Sequence, residues 1–200
     1  FELLHGEGLD QWIARERTLE PRTLTELIIG VVRALELAHA QGIIHRDLKP
    51  ANILVERHSP NGLRIRLCDF GMSSVNLGPP SKAHNVTTTW YRAPEACTHN
   101  PYSYGLDVWS IGCIFFEMIT GVPLFSGEDD ADKVFELIYH YLDVTPPWAH
   151  VREMFKSHSI FIGNAPAKRL TFAERIMMYP RAHGPTLKAN GELTTFCDLL

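Results

Sequence analysis

Between two apolar flanks, Ile43-Ile44 and Ile53-Leu54-Val55, the chain sets His45, Arg46, Asp47, Lys49 and Asn52. The flanks read as short buried strands that would hold the loop between them rigidly, and rigid polar loops are where chemistry usually sits. The simpler reading is a turn made by Lys49-Pro50 with solvated charges. Spacing decides between the two. His45-Arg46-Asp47, with Asn52 five residues after the aspartate, fits H-R-D-x-x-x-x-N; Asp69-Phe70-Gly71 follows, and Ala93-Pro94-Glu95 closes the series. Each triplet alone is a weak signal, whereas the three together in this order are close to diagnostic.

These motifs resemble those of the protein kinase family. The resemblance implies transfer of the γ-phosphoryl group of ATP, a reaction that needs an acceptor hydroxyl held in line and metal ions to neutralise charge spread over the phosphate oxygens. It assigns Asp47 to orienting the hydroxyl or accepting its proton. Asn52 and Asp69 would hold Mg²⁺, a cation that prefers oxygen donors and keeps much of its water. Lys49 would stand beside the γ-phosphate as a compact positive charge, and Thr88 matches the threonine that bridges the catalytic aspartate and lysine. The opening "FELLHGEGL" resembles the hinge between lobes, with Phe1 at the gatekeeper position and Glu2 and Leu4 offering backbone groups to adenine. Leu54 would floor the adenine, and Cys68, a small buried residue, would also line the nucleotide pocket. His45 and Arg46 are expected to organise backbone rather than catalyse, Phe70 to pack, and Asp107 to tie a buried helix to the catalytic loop.

Lys49-Pro50 is similar to the serine/threonine class, and "TTWYRAPE" with "YSYGLDVWSIGCIFFEMITGVPLFSG" resembles the branch of cyclin-dependent and mitogen-activated kinases. In that branch Arg92 shapes a pocket favouring proline after the acceptor, so the implied partners are protein substrates with Ser/Thr-Pro sites and a possible regulatory subunit. The activation segment departs from the pattern. The usual phosphothreonine position falls on Ala83, the usual second acceptor on Asn85 and the usual clamping arginine on Ser74. Ser81 and Thr87 remain as alternative acceptors. A non-catalytic, kinase-like scaffold is the competing reading; Asp47, Asn52 and Asp69 favour the enzyme, since a scaffold has no chemical need of them.

The elements that must position these residues are legible in the apolar spacing. Leu24, Leu27, Ile28, Val31, Leu35 and Ala38 form a one-sided stripe that predicts a helix over 23–40, stopped at Gly42. Leu63, Ile65 and Leu67 alternate with Arg64 and Arg66 as in a half-buried strand, joined to the loop's outgoing strand through a hairpin turn in "ERHSPNG". Residues 72–101 show no clear period. The stretch from Val108 to Ile119 is apolar nearly all round, predicting a helix buried on every side and ended by Gly121. A further helix, with Asp129, Asp130 and Asp132 in its first turn, is expected to run through Leu142. The expected fold is therefore mainly α: a kinase-like C-terminal lobe with a small β-hairpin and no N-terminal lobe. Residues 1–200 would form a partial kinase domain, with 143–192 as a branch-type insertion.

The bulk composition agrees. Two hundred residues, 45% hydrophobic and 21% charged, suffice for one globular domain with a sizeable core. A net charge of −4 without basic runs points away from nucleic acid and membrane surfaces. Cys68, Cys97, Cys113 and Cys197 form no CxxC pair, which suggests neither a zinc site nor a disulfide framework and fits a reducing, intracellular setting. The chain opens without methionine and ends within an amphipathic pattern, so it is expected to be part of a longer protein, and the glycine-rich loop and strand lysine of the family are not among its residues.

Overall fold

The computed structural model of the protein describes residues 6–16, 19–57, 62–74, 89–97, 103–127 and 130–142. A two-residue strand β1, Glu7–Gly8, leads into helix α1, Leu9–Arg15, and then the long helix α2, Pro21–Ala40. Strands β2, Ile53–Arg57, and β3, Leu63–Leu67, complete an antiparallel sheet in the order β1-β2-β3. Three more helices follow: α3, Pro94–Cys97; α4, Gly105–Thr120; and α5, Ala131–Leu142.

Helix α2 forms where the apolar stripe predicts it. Pro21 opens its first turn, where a missing N–H leaves no hydrogen bond unmade. Leu24, Leu27, Val31, Leu35 and Ala38 are buried, and Ile28 is partly so. The helix ends just before Gly42, which adopts the left-handed conformation (φ 76°) that a side chain would resist. α2 lies along β3 and touches α4, while Ile114, Phe116 and Met118 of α4 join Leu27, Leu48 and Ile53 in one core.

α4 is buried along most of its length, as its composition predicts, and Gly121 (φ 78°) closes it by donating its N–H to the Glu117 carbonyl. Val108 departs from the expectation. At 62% exposure it faces solvent, although its neighbours Leu106 and Asp107 are buried. α5 begins after Asp130, whose carboxylate accepts the Lys133 N–H in the manner of a cap.

Three further expectations need correction. Ile43 belongs to no strand; only Ile44 pairs, through an isolated antiparallel bridge to Ser74 with two hydrogen bonds of 3.0 Å. The sheet is three-stranded rather than a bare hairpin, since β1 adds to β2 with Glu7 opposite Val55 and Gly8 opposite Leu54. Helix α1 went unforeseen, although Leu9, Trp12 and Ile13 are buried at helical spacing. The irregular stretch 72–101 contains, where described, a helical turn at Thr89–Tyr91 and the short α3. The hairpin turn itself, residues 58–61, and the proposed insertion at 143–192 lie outside the described residues, as do Asp129 and Cys197. Among the described residues no disulfide forms, and no helix is long and apolar enough to cross a membrane.

Candidate active site

The loop between Ile44 and β2 is fixed from below by one buried carboxylate. Asp107, in the first turn of α4, is fully buried and accepts the backbone N–H of His45 at Oδ2 and that of Arg46 at Oδ1, each at 2.9 Å. These two bonds hold Arg46 in the left-handed region (φ 70°), uncommon for a residue with a β-carbon. His45 is also fully buried. Its Nε2–H donates to the Cys68 carbonyl at 3.0 Å and its ring packs on Phe70, with centroids 4.6 Å apart. With Nε2 so engaged and the ring enclosed, His45 is a structural group, as expected.

The reversal at Arg46 delivers Asp47 to the centre of a polar cluster. Lys49 Nζ donates to Asp47 Oδ2 at 3.1 Å. Asn52 Nδ2 donates to the Asp47 carbonyl at 2.8 Å and to Asp47 Oδ2 at 3.1 Å. Asp47 and Asn52 are buried and Lys49 is partly so. Lys49-Pro50 does make a turn, Pro50–Asn52, but its polar residues point at one another rather than into water. The ammonium neutralises a carboxylate that burial would otherwise penalise, and the amide fixes its orientation.

Sheet register brings the second motif to the same place. β2 and β3 pair with Ile53 opposite Leu67, so Asn52 and Cys68 flank the last pair and are joined by the Cys68 N–H donating to the Asn52 carbonyl at 3.0 Å. Asp69 follows directly, exposed and in the left-handed conformation (φ 60°, ψ 62°). Its neighbour Gly71 leaves space a side chain would take, since a β-carbon there would lie 3.2 Å from Asp69 Oδ1. Among the described residues no donor is directed at Asn52 Oδ1 or at the Asp69 carboxylate. The two side chains thus keep hard oxygens available at the end of one hairpin, the donor type that Mg²⁺ takes.

The remaining expectations divide. Leu54 lies on the face of β2 opposite the buried Ile53 and Val55, partly exposed. Cys68 is half-buried, and burial, with the Asp69 charge as a second cause, pushes its thiol pKa up and away from reactivity. Phe70 is more open than expected, at 39% exposure, with its ring against that of His45. Phe1, Glu2, Leu4 and Thr88 lie outside the described residues, as do Ser81, Ala83, Asn85 and Thr87. Ser74 is occupied as a strand-bridge partner.

Sequence reasoning missed a second polar cluster, on α4. Tyr91 Oη–H donates to Glu117 Oε2 at 2.7 Å, and Ser110 Oγ–H donates to the Tyr91 carbonyl at 2.8 Å, pinning the segment that ends in Ala93-Pro94-Glu95 onto α4. Burial pushes the Glu117 pKa up; the Tyr91 hydrogen bond opposes this and the charge of Asp10 adds to it. Burial pushes Tyr91 and Cys113 up as well, with Glu117 the next cause for each. The signal lay in Glu117, the one charge interrupting the apolar run from Val108 to Ile119.

Comparison with known proteins agrees with this geometry. Residues 1–180 match the family described as the protein kinase domain. Mitogen-activated protein kinase sty1 of Schizosaccharomyces pombe is 36% identical over 162 residues, covering 80% of this chain and 44% of that protein. Mitogen-activated protein kinase 9 of Arabidopsis thaliana is 35% identical over 170 residues, covering 82% and 32% respectively. Mitogen-activated protein kinase 15 of Arabidopsis thaliana is 32% identical over 203 residues, covering 98% and 34%. The chain therefore spans less than half the length of these relatives. It belongs to the protein kinase domain family, and its likeness runs to the mitogen-activated branch of the eukaryotic serine/threonine kinases.

Proposed function

Proceeding from membership of the protein kinase domain family, we propose that the full-length protein phosphorylates serine or threonine in protein substrates, at sites followed by proline, with ATP and Mg²⁺. The observation that carries this reading is the pairing of a buried Asp47–Lys49–Asn52 cluster with two oxygen groups, Asn52 Oδ1 and the Asp69 carboxylate, at the adjoining hairpin end. Mg²⁺ supplies charge neutralisation on the phosphates when it arrives with the nucleotide. Among the described residues no three His, Cys, Asp or Glu side chains converge as a resident metal site, which suits a metal that comes largely coordinated by water and phosphate.

The chain's own residues then have distinct tasks. Asp47, oriented by Asn52 Nδ2, receives the acceptor hydroxyl's hydrogen bond and holds the oxygen in line with phosphorus. Lys49 balances negative charge where the phosphoryl group leaves. Leu54, on the outer face of the sheet, gives the adenine an apolar support, and Cys68, Phe1, Glu2 and Leu4 complete that pocket; Thr88 bridges Asp47 and Lys49. Arg92 orders the surface that prefers proline. Partners are protein substrates and a possible regulatory subunit, in an intracellular setting. With Ala83 and Ser74 standing where an activating phosphate and one of its clamps would be, activity depends less on an upstream kinase than is usual in this branch. The 200-residue segment by itself is inactive, since the phosphate-anchoring lysine the family uses is not among its residues.

The test is phosphate transfer from labelled ATP by the full-length protein to paired peptides differing only as Ser-Pro and Ser-Ala. Preference for Ser-Pro, abolished by EDTA, is the expected result. Transfer to neither peptide nor to any protein substrate, with nucleotide bound, would return the reading to a scaffold.

A further inference from the structure

Tyr91 lies along α4, tied to it at both ends. Its hydroxyl donates to Glu117 Oε2 at 2.7 Å, and its carbonyl accepts the Ser110 hydroxyl at 2.8 Å. Ser110 and Glu117 are i and i+7 on α4, which sets them on one side of the helix, about 10 Å apart along its axis. A serine within a helix ordinarily returns its one hydroxyl proton to the carbonyl four residues back. Here that contact, to the Leu106 carbonyl, is 3.1 Å, longer than the one to Tyr91. The buried Ser110 hydroxyl therefore serves the neighbouring segment more than its own helix.

The carbonyl it holds belongs to the peptide unit that Tyr91 shares with Arg92. That unit is planar, and its other polar group, the Arg92 N–H, donates to the Thr89 carbonyl at 3.0 Å. Thr89 is itself buried. Both polar ends of one rigid plane are thus fixed, the oxygen by α4 and the nitrogen by the turn Thr89–Tyr91, and the course of the backbone into Arg92 follows from them. Without the Ser110 hydroxyl the carbonyl loses that partner, and the plane turns about the two bonds that flank it, carrying Arg92 with it.

We propose that Ser110 is a positioning residue for substrate selection: by fixing the peptide plane between Tyr91 and Arg92, it holds the surface that distinguishes proline from other residues after the acceptor. The inference rests on the proline-directed reading above. The Ser110 hydrogen bonds reach none of Asp47, Asn52 and Asp69, and the loop that carries Asp47 hangs on a different residue of α4, Asp107. The two tasks are therefore separable. The Ser110 hydroxyl governs which peptide is preferred and leaves transfer to an unselected peptide as it was.

The test uses the full-length protein with Ser110→Ala, which removes the hydroxyl, and with Ser110→Thr, which keeps it. Paired peptides differing only as Ser-Pro and Ser-Ala supply the first readout. In Ser110→Ala the ratio of kcat/KM for Ser-Pro to that for Ser-Ala should fall by about fivefold or more, through the Ser-Pro peptide alone, and Ser110→Thr should recover most of it. Amide hydrogen exchange at Arg92 is the second readout, expected to quicken about fivefold or more in Ser110→Ala and to return towards wild type in Ser110→Thr. An unchanged ratio in Ser110→Ala would overturn the inference, as would equal loss for both peptides, equal loss in both variants, or unchanged exchange at Arg92. A wild-type protein that takes Ser-Ala as readily as Ser-Pro refutes the proline-directed reading itself, and the role of Ser110 in selection falls with it. A selective wild type with an equally selective Ser110→Ala refutes the inference alone.

Discussion

Two non-glycine residues among those described have positive φ, Arg46 and Asp69, and each stands at one of the motifs. Such a conformation costs on the order of 1–3 kcal/mol unless the surroundings enforce it, so its appearance at both motifs marks the places where the chain spends stability on geometry. At Arg46 the enforcement is the Asp107 carboxylate; at Asp69 it is the preceding Cys68, held on both sides by Asn52 and His45. Asp47 and Asp69 consequently differ in setting, one buried beside a lysine and an amide, the other exposed and without a donor among the described residues. Their substitutions should differ too. Asp47→Asn in the full-length protein is expected to lower kcat by about 10²–10⁴-fold with little change in ATP affinity, since proton handling matters in the transition state and not in the ground state. Asp69→Asn should in addition weaken nucleotide binding in the presence of Mg²⁺, measured by calorimetry with and without the metal. Two variants with wild-type turnover would mean that Asp47 does not handle the acceptor proton and Asp69 does not hold the metal. These identities were legible in the sequence because chemistry constrains residue type and spacing directly; the backbone conformations were not, since nothing in Arg46 or Asp69 favours φ above zero.

At the scale of elements, the hairpin and α2 form a single mounting. The register of β2 with β3 aligns Asn52 with Cys68, and α2 lies along β3 closely enough that Gly30 meets Ile65. A β-carbon on Gly30 would come within 2.3 Å of Ile65 Cγ1 and 3.1 Å of its Cβ. Gly30→Ala would gain about 1 kcal/mol from helix propensity, yet the overpacking costs about 1–3 kcal/mol, and the contact falls on a branched side chain with little room to turn. Net destabilisation is expected, read as a lower urea midpoint at unchanged slope. In an Ile65→Ala background the same substitution should be neutral or stabilising; additivity of the two changes would refute the close approach. The long amphipathic helix and β3 were readable from periodicity because each packs one apolar face against the core. α1 was not, for its seven residues supply too few turns to show a period, and neither was β1, whose two residues pair through backbone bonds that leave no pattern in side chains.

For the described residues as a whole, α4 is the axis: its first turn holds the loop at His45–Arg46 through Asp107, its middle fills the core, and its last turns hold the segment at Tyr91 through Glu117. An all-round apolar composition announced that position but not the polar contacts hung upon it, since Asp107 and Glu117 acquire partners only when segments distant in sequence converge. The Glu117 contact has a pH consequence. Burial, the largest cause, raises its folded pKa above the ordinary carboxylate value of 4.5, so between that value and the raised one the folded state binds a proton that the unfolded state has released. Stability from this group is therefore complete below the unfolded pKa and is lost as pH rises through the folded pKa. Glu117→Gln, which carries an uncharged group of similar shape and can still accept from Tyr91, removes the titration. Thermal melts from about pH 4 to pH 8 should then show the variant gaining on wild type as pH rises, with the difference levelling once Glu117 is fully ionised. A difference that is the same at every pH would mean that Glu117 titrates alike in the folded and unfolded chains and that its burial against Tyr91 exerts no electrostatic hold on the fold.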